Sequence, residues 1–211
     1  MNIIMKKTIS IMAAVLMLMA FAACGNKNDL PNTSPTDVSG PTATPDNGVL
    51  PDPQPVSELS ICGIPVVTNS QPTGLLYKGS DYKDGVLTLD NTAILADYGS
   101  SNAIYFVGEL EIVIHGESTI EAMNGMSAIA GVEAEDGTQA NLTISGDGRL
   151  TVSAAGAYGI SCSGTITVNG GTLEISGEEA AVERGAESLT LENGLTVIED
   201  TGVRIVVGPA E

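Results

Sequence analysis

From about Leu75 onward, aliphatic residues recur two apart in short runs divided by glycine: Leu110-Glu-Ile-Val-Ile114, Leu142-Thr-Ile144, Ile166-Thr-Val168 and Leu189-Thr-Leu191. Successive side chains of a strand point to opposite faces, so each run has an apolar face and a face of Thr, Ser or Glu. After a glycine turn comes a second set, Thr119-Ile120, Leu150-Thr-Val152, Leu173-Glu-Ile175 and Leu195-Thr-Val197. Ahead of each unit stands a third, marked by Ile104, Ile129, Ile160 and Val182. Three strands per unit, repeated every 22 to 31 residues or so, suit a solenoid better than the hairpins of a sandwich. One unit alone buries nothing useful; stacking would align Ile112, Ile144, Val168 and Leu191 in one internal ladder and Ile120, Val152, Ile175 and Val197 in another. The expected fold is all-β, a right-handed parallel β-helix, with an antiparallel sandwich as the alternative. Helix is excluded after residue 57, because no segment keeps apolar residues at helical spacing for three turns. The longest unit carries an insertion, Val132 to Gln139, expected to protrude as a loop.

The N-terminus follows another pattern. Lys6 and Lys7 precede an apolar run from Ile9 to Phe21, too short for a mature membrane helix of about 20 residues, which is the layout of a signal peptide. The run ends at Phe21-Ala-Ala-Cys24-Gly25, which resembles the lipobox of bacterial lipoproteins, with Phe21 in place of the usual aliphatic residue. That resemblance implies cleavage before Cys24, a lipid on its thiol, and a protein anchored in the cell membrane on the extracytoplasmic side. Pro31, Pro35, Pro41, Pro45, Pro51, Pro53 and Pro55, spaced by polar residues, mark the next stretch as a disordered tether. The predicted organisation is therefore a leader over 1–23, a lipidated cysteine and linker over 24–57, and a β domain over 58–211.

Charge narrows the partners. The net charge is −18, and the chain after Cys24 is more acidic still, because Lys6 and Lys7 fall before it. Nucleic acid needs clustered Lys and Arg to neutralise phosphate, so it is excluded as a partner, as is direct attraction to anionic lipid. Carboxylates can coordinate divalent cations, and Asp81, Asp84, Glu133, Glu135 and Asp136 are the densest candidate ligands for calcium.

Catalytic chemistry is thin. His115 is the single histidine, read as a surface residue, and leaves zinc or a nucleophile relay without partners. Cys62 and Cys162 are expected to be free thiols. The arginines Arg149, Arg184 and Arg204 fall in different units, and no Asp-Asp or Asp-x-Asp pair lies in the repeats, so no enzyme is expected. A carboxylate pair such as Glu111 with Glu174 is the one hydrolytic arrangement that spacing leaves open.

The phrases Ala103-Ile-Tyr105, Asn141-Leu-Thr-Ile-Ser-Gly-Asp-Gly-Arg-Leu-Thr-Val152 and Tyr158-Gly-Ile, with Gly164-Thr-Ile-Thr-Val-Asn-Gly-Gly-Thr-Leu173, resemble bacterial surface lipoproteins with a carbohydrate-binding, pectate-lyase-like parallel β-helix domain. The resemblance spans roughly residues 85 to 200 and implies an extracellular polysaccharide partner, acidic or cellulosic, with calcium. No binding residue carries over from it. Tryptophan is absent, which weakens stacking on neutral sugars, and an acidic polymer would be repelled unless cations bridged it. Outward Thr143, Thr167 and Thr190 are expected to form a column, a flat hydroxyl face for a regular polymer. A structural or adhesive stalk that binds proteins is the alternative function.

Overall fold

The computed structural model describes residues 55–210; the leader, Cys24 and nearly all of the proline-rich stretch lie outside the described residues. Val56 already belongs to a strand and is fully buried. In chain order the strands are β1 (Val56–Ile61), β2 (Ile64–Thr68), β3 (Gln71–Pro72), β4 (Ser80–Lys83), β5 (Val86–Asp90) and β6 (Ala93–Ala96). Then come β7 (Ile104–His115), β8 (Glu117–Ala122), β9 (Ile129–Val132), β10 (Asn141–Gly146), β11 (Arg149–Ala154) and β12 (Tyr158–Cys162). The rest are β13 (Ile166–Val168), β14 (Thr172–Gly177), β15 (Ala180–Val182), β16 (Leu189–Leu191), β17 (Leu195–Asp200) and β18 (Arg204–Pro209). A single 3-10 turn, Ala186–Ser188, is the only helical element among the described residues.

Strands of successive repeats pair in parallel and in register. One ladder sets Ile104 beside Ile129, Ile160 and Val182. A second sets Leu87 beside Ile112, Ile144, Val168 and Leu191, and a third Ile94 beside Ile120, Val152 and Ile175. Between these ladders the interior is filled by the aliphatic positions read from sequence; Ile112, Ile120, Ile144, Val152, Val168 and Ile175 are completely buried. The first and second ladders share β7, which bends at Gly108. That residue has φ +104° and a Cβ there would lie 2.3 Å from the Pro55 carbonyl oxygen, so only glycine fits.

The sheets are mixed, because both ends of the stack turn antiparallel. At the start, β1 pairs antiparallel with β7 and with β2, and β4 with β5. At the finish, β18 enters antiparallel beside β14 and carries β17 on its outer side. The expected column Ile120–Val152–Ile175–Val197 is therefore corrected at its last member: Ile175 faces Ile205, and Val197 faces Val207. The reason is a tight reversal at Thr201–Gly202, where Gly202 has φ +81° and donates its N–H to Asp200 Oδ1 at 2.8 Å. It folds Arg204–Val207, the alternating part of β18, back into the vacant ladder position.

Candidate functional site

Three outer faces could meet a partner, and their chemistry differs. On the first ladder, Tyr105 of β7 stands beside Ala130 of β9 and Ser60 of β1. Alternation places its ring outward between the buried Ile104 and Phe106, and Ala130 keeps the adjoining rung low. Three depressions of about 190, 230 and 400 Å³ follow one another across this face. Glu58 and Tyr105 line both the first and the second, and Glu133 both the second and the third. Linked by these shared residues, they form a shallow groove crossing β1, β7, β9 and β12 and reaching Glu183 and Arg184 just past β15, about 19 Å at the ordinary spacing of neighbouring strands. Its far end holds Ser161, Ser163, Glu183 and Arg184.

Polar groups in the groove are partly pre-set. Ser161 Oγ donates to Glu183 Oε2 at 2.6 Å, Gln139 Nε2 to Glu133 Oε2 at 2.5 Å, and Arg184 Nη2 to the carbonyls of Cys162, at 3.0 Å, and Gly164. Burial and the neighbouring Glu58 carboxylate push the Tyr105 hydroxyl above its ordinary value, so it remains a neutral donor. Glu58, Glu133 and Glu183 are exposed acceptors, a set that can receive hydroxyl protons while the tyrosine ring packs against C–H surface.

The second ladder bears the predicted threonine column: Thr143, Thr167 and Thr190 are in register, continued by Glu111. Beside it a groove of about 420 Å³ is lined by Asp84, Glu109, Glu111, Asn141, Thr143 and Thr165, among others. Its polar groups bind one another along the stack. Ser145 Oγ donates to Glu111 Oε1 at 2.6 Å, and Thr165 donates to Asn141 Oδ1 from both its N–H and its hydroxyl, at 3.0 and 2.9 Å. No aromatic residue lines it.

On the third ladder Glu174 accepts from Arg149 at 2.7 Å and from Arg204 at 3.0 Å, and Arg204 also pairs with Glu199. Arg204 first, then Arg149, hold the Glu174 carboxyl below the usual range. Glu111 lies on the second ladder and Glu174 on the third, so the candidate hydrolytic pair does not share a groove. His115 Nδ1 lies 3.0 Å from Asp147 Oδ1 at an exposed corner, and this bond holds Asp147 below the ordinary carboxylate range.

The five candidate calcium ligands are dispersed. Asp81 is on β4 and Asp84 in the β4–β5 turn, beside the second-ladder groove. Glu133, Glu135 and Asp136 are in the predicted loop between β9 and β10, with Glu133 and Glu135 on the first-ladder groove. Asp136 Oδ1 instead accepts the Thr138 N–H at 2.9 Å, which lowers its pKa. Among the described residues no three acidic, histidine or cysteine side chains converge as a cation would require. Among the described residues Cys62 and Cys162 are unpaired, and burial raises both thiols, helped at Cys62 by Asp97, so both stay protonated. Reading the sequence for chemistry missed Tyr105, Glu58, Glu183 and Arg184 as a set. The available signal was Tyr105 directly after an inward isoleucine, at an outward position of a repeat strand.

A family model described as "Carbohydrate-binding domain-containing protein" matches residues 66–205, a span that includes every groove residue named above except Glu58 and Ser60. No curated protein and no solved structure matches the chain.

Proposed function

The chain belongs to the family of carbohydrate-binding domain-containing proteins, and from that premise we propose that it holds an uncharged polysaccharide in the first-ladder groove without altering it covalently. The observation that carries the reading is the run of linked depressions centred on Tyr105, with acceptors Glu58, Glu133 and Glu183 and the donor Arg184 spaced along it. Vicinal sugar hydroxyls suit carboxylate acceptors, and a pyranose C–H face suits an aromatic ring. The excess of carboxylates disfavours an anionic polymer, which would need calcium to bridge it to Glu133 and Glu135; an uncharged one needs no cation.

In this reading the finer architecture is a right-handed parallel β-helix with antiparallel ends. Its domain hangs on a proline-rich tether from a lipidated Cys24, facing away from the cell membrane. Such an arrangement lets the groove meet polymer several nanometres from the anchor, at roughly 3 Å per extended residue.

The test is retention of the full chain on insoluble cellulose, polygalacturonate and peptidoglycan, with calcium and with chelator, beside the variant Tyr105→Ala. Chelator-insensitive retention on cellulose, weakened at least about tenfold in Tyr105→Ala as expected for loss of an aromatic contact worth over 1 kcal/mol, is the expected outcome. Retention only on polygalacturonate and only with calcium would overturn the uncharged-ligand reading, and retention on none would overturn glycan binding itself.

A further inference from the structure

The first-ladder groove is walled along one side and ends in strands of its own sheet. The wall is made of corners that follow successive strands: Glu133, Ala134 and Glu135 after β9, Ser163 after β12, and Glu183 with Arg184 after β15. At the start the first depression is lined by Pro65, Val67 and Thr68 of β2, with β3 next in the sheet. At the finish β15 is the terminal strand, and among the described residues no strand of this sheet lies beyond it.

The groove follows an outward row with a fixed period. Ser60, Tyr105, Ala130 and Ser161 are neighbours in register across β1, β7, β9 and β12. Glu183 continues the row one residue past the Ile160–Val182 pair, where its carboxylate accepts from Ser161. Each step is one strand spacing, about 4.8 Å, close to the advance of one sugar along an extended glycan chain. Tyr105 and Glu183 are three steps apart, roughly 14 Å, farther than the two rings of a disaccharide span. A site for a chain end closes around the last sugar, whereas this groove stays in the plane of the sheet at both ends and repeats from strand to strand. Resting on the carbohydrate-binding reading above, we propose that the groove holds an internal stretch of one glycan chain, about five sugars laid across the strands at one per strand. Tyr105 and Glu183 then touch the same chain at different sugars.

Calorimetric titration of the full chain with cellobiose, cellotetraose, cellohexaose and cellohexaose reduced to the alditol at its reducing end tests this, beside Glu183→Ala. Glu183 is exposed, and circular dichroism should confirm that the variant is folded. Affinity is expected to rise at least about tenfold from cellobiose to cellohexaose as more strands are engaged, with the reduced sugar within about twofold of the unreduced one. Glu183→Ala should weaken cellohexaose by about fivefold or more, as for a lost hydrogen bond to a charged group, and leave cellobiose, seated at Tyr105, within about twofold. Equal affinities for the short and long sugars, loss of binding on reduction of the end sugar, or a Glu183→Ala variant that treats cellobiose and cellohexaose alike would overturn the proposal. So would a chain that is retained on cellulose but binds none of the oligosaccharides; in each of these cases retention on cellulose leaves the carbohydrate-binding reading standing, and only its loss overturns both.

Discussion

Gly131 shows how a single residue sets the packing of this interior. It stands in register between Phe106 on β7 and Cys162 on β12, and Phe106 is completely buried. A Cβ at position 131 would lie 2.5 Å from Phe106 Cζ and 3.0 Å from Cys162 Sγ. The phenylalanine ring thus occupies the room that glycine leaves, with the Cys162 thiol closing the other side. Gly131→Val is expected to destabilise the fold by about 3 kcal/mol, the upper part of the range for overpacking a filled core. Urea unfolding followed by circular dichroism would measure it. The double variant with Phe106→Leu should recover part of the loss, since the smaller side chain vacates the contested volume.

Among the elements, β18 is the one that departs from the repeat, and the third-ladder ion network records its insertion. Arg204 comes from β18, Glu199 from β17 and Glu174 from β14, so the network ties the reversed strand to the parallel ones. Because the folded state depresses the Glu174 carboxyl, its contribution is present above the unfolded-state pKa and is lost as pH falls through the lowered folded value. The arginines are about half exposed, which limits the contribution to about 1 kcal/mol at neutral pH. Wild type should therefore exceed Glu174→Gln in stability by about that much near pH 7, with the gap closing as pH falls below the ordinary glutamate pKa of about 4.3. A gap that stayed constant below that pKa would mean that the carboxylate charge contributes nothing. The same strand marks where the sequence stops being informative about fold. Alternation in Val203–Val207 identifies a strand with an inward face, but parallel and antiparallel partners require the same alternation. What decides between them is the reversal at Gly202, whose signal is a turn of a kind found after many other strands here.

Across the whole molecule, the inward ladders were legible because stacking forces the same apolar spacing on every rung. The groove was not, because its members are separated in sequence, from Glu58 to Arg184, and only the stacking registers bring them to one face. Acidic density pointed to Glu133, Glu135 and Asp136, yet within that loop it is Glu133 that joins two of the depressions, and the partners it joins are a tyrosine and residues about 50 and 75 positions away. A structure built of stacked rungs has a further property: each rung is stabilised mainly by the rungs on either side of it. A side chain in the middle of a ladder is then worth more than its chemical equivalent at the end. Ile144 is covered on both sides, by Ile112 and Val168, and is completely buried; Leu191 is covered by Val168 alone and is half-buried. Ile144→Ala is expected to cost about 3 kcal/mol, from lost transfer energy and an unfilled cavity. Leu191→Ala should cost about 1 kcal/mol, since much of its surface is already wet and no closed cavity forms. Urea unfolding followed by circular dichroism would measure both costs. Equal costs at the two positions would mean that the last rung is covered as fully as the middle one.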